Sequence, residues 1–144
     1  MTYVAPYSQA TLIFEPDEEV NVGRVSIATP GTILDYVTRY HRSFLDLIKR
    51  ANLMSLYNTI NNLNYTVFIP RYTTGWSGEI KRTTVPGIVT ICMMLTSPNM
   101  IIYSMSNDEL RVTSINGNIF INGSQIIYGD IECTNGLVHV VNNS

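Results

Sequence analysis

Two histidines, two cysteines and one acidic run are the residues whose types could do chemistry in this chain of 144 residues. The run Glu15-Pro16-Asp17-Glu18-Glu19 gathers carboxylates. A calcium loop needs oxygen ligands at spaced positions and a glycine-directed turn, which this run lacks, so it reads as a solvated turn. Gly75-Trp76-Ser77-Gly78-Glu79 has the outline of a nucleophile elbow. It departs from G-x-S-x-G at Glu79, and no strand leads directly into it. A serine triad would have to take its base from His41 or His139. His41 lies at a polar helix junction and reads as a surface residue. His139 alternates with Val138 and Val140, on the opposite face of a strand, and reads as a hydrogen-bonded structural histidine. Cys92 and Cys133 could close at most one bridge. Both sit in apolar stretches, where a buried free thiol is the natural reading. Paired carboxylates, metal-ligand spacing and a phosphate loop are all missing from the sequence, so no enzyme, metal or cofactor is expected.

Composition narrows the partners. Hydrophobic residues make up 45 % of the chain, enough for one domain with a real core. Charged residues are only 14 %, against about 25 % in an average soluble domain. Such a surface is covered by Asn, Thr, Ser and Tyr, and suits glycans, protein partners or neighbouring subunits. The net charge is −2 and basic residues cluster no further than Lys49-Arg50 and Lys81-Arg82, so nucleic acid is not an expected partner. No apolar run approaches the ~20 residues of a membrane span. The first twenty residues lack a basic region followed by an apolar one, so no secretory signal is read there and an intracellular or virion setting is expected. Asn64, Asn122 and Asn142 head glycosylation sequons, which matter only in a secretory pathway.

The elements that must position these residues can be read in order. Residues 1–30 form an N-terminal extension, either short strands at Thr11–Phe14 and Val20–Ile27 or a partner-binding arm. Residues 31–144 form the main domain. Ile33, Leu34, Val37 and Tyr40 follow helical spacing, and Phe44, Leu45 and Ile48 repeat it after a break near His41. Thr32 or Ser43 would serve as N-cap. A third short helix is expected over Leu53–Ile60. Tyr65-Thr66-Val67-Phe68-Ile69-Pro70 reads as a buried strand stopped by proline. Ile88–Leu95 and Met100–Met105 read as two further strands. From Arg111 to Val141 three Asn-Gly pairs separate Ile- and Val-rich runs, the pattern of a β-meander whose turns need positive φ. Helices near the front and strands at the back make an α+β domain.

Four pieces of this chain, in order from Thr32 to Val141, resemble the fasciclin (FAS1) domain. The TILDYVTRY-HRSFLDLIKR opening is similar to the family's first helices. Thr66, Val67, Phe68 and Pro70 are similar to its first box, T-V-F-A-P. Val85-Pro86-Gly87 resembles its V-P-G, and Asn135, Gly136 and His139 fall where the second box, N-G-V-V-H-V-I, has them. The chain departs from the family where Arg71-Tyr72-Thr73 follows the first box, and where Arg82-Thr83 replaces the usual Tyr-His. Fifteen residues between Pro70 and Pro86 leave no room for the family's central helices, and the usual final strand is clipped after Val141. The resemblance implies N-terminal helices packed on a mixed or antiparallel β-sheet wedge with a C-terminal meander. It also implies a face left uncovered by the missing helices, to be covered by residues 1–30 or by a neighbour.

For function, the resemblance implies a non-enzymatic interaction or adhesion module without cofactor. In some members an Asp-Ile pair before the second box is associated with integrin binding, and Asp130 and Ile131 occupy that place here. The other reading of Asp130 is a turn residue bonded to its own loop, with Ile131 buried. Two settings are expected for such a module. One is a subunit or glue protein in a larger assembly, such as a minor capsid protein of a virus particle. The other is an adhesion module for a cell-surface or matrix partner.

Overall fold

The computed structural model describes residues 21–23, 31–59, 64–73, 80–97 and 99–142. The acidic run 15–19, the strand expected at 11–14 and the string 75–79 lie outside them.

Three short helices open the domain. In α1 (Ile33–Tyr40) the Thr32 hydroxyl accepts from the Asp35 amide at 3.2 Å, and the Asp35 carboxylate accepts from the Thr32 amide at 3.0 Å. This capping box satisfies two amides that a helix start leaves orphaned. α2 (Arg42–Arg50) begins one residue later with no side-chain cap, so Ser43 lies inside the helix and not at its cap. α3 (Met54–Asn58) is shorter than expected. Ile33, Tyr36, Val37, Phe44, Ile48 and Tyr57 form the buried stripe of all three.

Seven strands follow: β1 (Tyr65–Pro70), β2 (Thr84–Pro86), β3 (Ile101–Tyr103), β4 (Glu109–Ile115), β5 (Asn118–Ile121), β6 (Ser124–Cys133) and β7 (Gly136–Val141). Their order in one sheet is β2-β1-β7-β6-β5-β4-β3. β1 and β7 run parallel and every other neighbouring pair is antiparallel. The two edges approach each other where the Met105 amide donates to the Thr84 carbonyl at 2.8 Å. Sheet twist thus closes the wedge into a near-barrel.

β1 and β7 are buried along almost their whole length, as central strands covered on both faces must be. Val67, Ile69, Ile131, Val138 and Val140 pack against the helices. Phe68 points the other way and joins Val85, Val89, Ile91, Met94, Val112, Ile119 and Ile126 in a second core inside the curled sheet. Val22 belongs to that second core at 2 % exposure, and Gly23 forms a parallel bridge with Tyr128 of β6. Residues 21–23 of the N-terminal extension are therefore built into the domain.

Two expectations need correction. The apolar run Ile88–Leu95 is not a strand: a helix, α4 (Ile91–Thr96), occupies most of it. Ile91 and Met94 are its buried positions, three apart, and the Thr90 hydroxyl caps it by accepting from the Met93 amide at 3.2 Å. The meander's three Asn-Gly pairs also differ. Asn116-Gly117 and Asn122-Gly123 hold the positive φ of tight hairpin turns, at 50° and 81° and at 48° and 86°. Asn135 does not; its side chain is buried and does other work.

Candidate functional site

The residues of the two boxes form one pinned network. On β1 the buried Thr66 hydroxyl donates to the Gly87 carbonyl at 2.8 Å and accepts from the Val89 amide at 2.9 Å, fixing the loop after β2. On β7 His139 is fully buried, its ring 5.4 Å from that of Phe68. Its Nε2 lies 2.7 Å from the Val89 carbonyl, which can only accept, and its Nδ1 accepts from the Asp130 amide at 3.1 Å. These partners select the neutral tautomer protonated on Nε2. Both ring nitrogens are engaged by the main chain, so neither is available as a catalytic base.

Asn135, 1 % exposed, reaches across to the helices. Its Oδ1 accepts from the Ile33 amide at 2.8 Å, and its Nδ2 donates to the carbonyls of Tyr57 at 2.8 Å and Thr59 at 3.2 Å. Gly136 follows because a Cβ there would collide with the Tyr65 carbonyl oxygen of the neighbouring strand. Pro70 closes the same parallel pair opposite Val141.

The carried-over pair Asp130 and Ile131 is split between two environments. Asp130 sits at φ 52° on an irregular stretch of β6, half-buried, and its Oδ1 accepts from the Ile91 amide at 2.9 Å, at the start of α4. Ile131 is fully buried in the helix-facing core, so a partner contact at this pair falls to Asp130 alone. His41 is not a surface residue. It is half-buried, with its Nε2 3.0 Å from the Tyr36 hydroxyl, and burial lowers its pKa. Both thiols are free and half-buried; burial pushes Cys133 up to about 12. Asn64, Asn122 and Asn142 are all exposed.

What sequence reading missed is the outer face of the curled sheet. Leu110 and Val112 of β4 point into the core, so Glu109, Arg111, Thr113 and Ile115 point outward. The register sets Tyr103 opposite Glu109 and Ile101 opposite Arg111 on that same face. Ile101, Tyr103 and Ile115 are 41 %, 52 % and 57 % exposed, beside an exposed Arg111–Glu109 ion pair of 3.3 Å. The alternation was legible in the sequence; which side it left uncovered was not.

Among the described residues no group of three or more His, Cys, Asp or Glu side chains could hold a metal ion. No described helix is long and apolar enough to cross a membrane. Residues 82–144 match the family model described as Fasciclin domain. Stabilin-2 of Mus musculus is 29 % identical over 117 residues, a match spanning 69 % of this chain and 4 % of that protein. The chain thus corresponds to a small part of the length of the curated relative it matches. The matched segment begins within the 3₁₀ turn Ile80–Thr83 and runs through β7, and the helices packed on a mixed near-barrel sheet have the α+β architecture of a fasciclin-like fold.

Proposed function

We propose that this chain is a non-enzymatic protein-interaction module that docks through the outer face of β3, β4 and β5. The observation that carries the reading is the exposure of Ile101, Tyr103 and Ile115 on one face of β3 and β4. Aromatic and aliphatic side chains with polar neighbours are the composition of an interface, and the Glu109–Arg111 pair stands directly opposite Tyr103 and Ile101. The match of residues 82–144 to the fasciclin domain supports it, since fasciclin domains serve interaction and adhesion. Within this reading the partner is a cell-surface or matrix protein, with the half-buried Asp130 as a second contact. The narrower setting of a virus-particle subunit draws no support from the fasciclin match or from Stabilin-2, neither of which names a particle.

The test is site-specific photo-crosslinking in the protein's native cells or particles. A crosslinker at Tyr103 or Ile115 should give a discrete protein adduct, and one at Tyr40, equally exposed on α1, should not. Adducts only at Tyr40 would overturn the docking face. In parallel, Tyr103→Ser with Ile115→Ser should abolish the adduct while changing stability by no more than about 0.5 kcal/mol per site, as expected of exposed positions.

A further inference from the structure

We propose that the cleft between the loop after β2 and the β6–β7 hairpin is a receptor for a basic side chain, arginine foremost, presented by a partner protein, with Glu132 as its counter-charge. The proposal rests on the reading of the chain as an interaction module and adds the chemistry of one contact.

The cleft has a volume of about 380 Å³ and is lined by Asn64, Ile88, Glu132, Thr134 and Leu137, among others. Its geometry follows from the sheet. Val67, Val138 and Ile131 lie side by side facing the helices, so their neighbours Thr66, Leu137 and Glu132 form a row on the opposite face. Leu137, at 6 % exposure, is the floor, and Ile88, at 37 %, is a wall. Both walls are fixed. The Gly87 amide donates to the Asn64 carbonyl and Thr66 holds Gly87 and Val89; on the other side the Thr134 amide donates to the Gly31 carbonyl, each at 2.8 to 2.9 Å. A preformed cleft loses little entropy on binding.

Glu132 is the anomaly. Among the described residues no hydrogen bond or ion pair engages its carboxylate. Partial burial raises its pKa, and the neighbouring Asp130 carboxylate raises it further. Among the described residues nothing offsets this charge, which leaves it for a cation supplied from outside. The shape selects which cation. Ile88 and Leu137 offer apolar surface for a methylene stem, and a planar guanidinium meets a single carboxylate with two parallel hydrogen bonds. A small hydrated ion would leave that apolar surface unused.

The test is an amide-resolved NMR titration of the full chain at low salt with acetyl-arginine amide, with the neutral isostere acetyl-citrulline amide as control. Arginine amide should shift Ile88, Glu132, Thr134 and Leu137 and saturate in the millimolar range or above, as one exposed ion pair allows. Glu132→Gln should weaken this by up to about fivefold, the upper end for a single exposed ion pair. That variant should fold with unchanged or higher Tm, because it removes a charge that folding disfavours. Citrulline amide should bind no better than it binds the variant. Shifts spread over the surface, equal shifts with citrulline, or undiminished binding to Glu132→Gln would each overturn the proposal. Such a failure leaves crosslinking at Tyr103 and Ile115 untouched, so the loss of the cleft and the loss of the docking face are separable.

Discussion

Asn135 offers the sharpest test of how this fold is held together. Its side chain makes three hydrogen bonds to main-chain groups at the start of α1 and the end of α3. Asn135→Ala removes all three and leaves the amide of the fully buried Ile33 and the carbonyl of the fully buried Tyr57 without partners. A neutral hydrogen bond contributes about 1 kcal/mol net, and each orphaned buried group costs about 1–3 kcal/mol. The effects overlap, so the expected loss is about 3–5 kcal/mol, a large share of a typical domain's stability. For a chain of this size that is a Tm drop of roughly 10–15 °C.

Urea unfolding followed by circular dichroism measures it, and the same dipeptide supplies the control. Asn122 also precedes glycine, but its one described side-chain bond, to the Arg111 amide at 2.8 Å, is exposed and its φ is 48°. Asn122→Gly keeps the turn and should cost about 0.5 kcal/mol, near the low end for a single hydrogen bond. Asn135→Asp adds a directional check. It keeps an acceptor for the Ile33 amide but sets carboxylate oxygen against two carbonyls, so the variant should be less destabilised at pH 4 than at pH 7. If Asn135→Ala loses no more than Asn122→Gly, the claim that this side chain clamps helices to sheet is wrong.

Other outcomes follow from the same structure. Val22→Ala should cost about 2 kcal/mol by urea unfolding, from two buried methyl groups and the cavity they leave; no loss would mean residues 21–23 are not part of the core. Burial lowers the His41 pKa, so below about pH 6.5, the ordinary value, the unfolded chain takes up the proton first. The stability His41 contributes is thus whole above that pH and lost as pH falls below it, by at most about 1.4 kcal/mol per unit for one proton. His41→Phe, which keeps the ring against Tyr36, should flatten that part of the pH profile, and an unchanged slope would count against it. Cys133, pushed up to about 12 chiefly by burial, has a thiolate fraction of about one ten-thousandth at pH 8. Mass spectrometry should show it alkylated by iodoacetamide far more slowly in the native protein than in urea, and equal rates would refute the burial.

The parts of this fold that were legible in the sequence are those set by short-range rules. Tyr65–Pro70 and Gly136–Val141 are apolar runs broken mainly by Thr66 and His139 because both strands are covered on two faces, and Thr32 announces α1 because its cap lies three residues from its partner. Where the deciding contact is remote, the reading failed. Ile88–Leu95 is apolar enough for a strand or a helix, and part of what tips it is a bond from the Ile91 amide to Asp130, 39 positions away. The turn expected at Asn135 is there, between Cys133 and Gly136, but without the positive φ of the other two pairs, and its side chain instead bonds to Ile33 across 102 positions. The outer face and the Glu132 cleft belong to this class as well. A strand's alternation says that two faces exist, but only the register of seven strands decides which face the helices take and which is left for a partner.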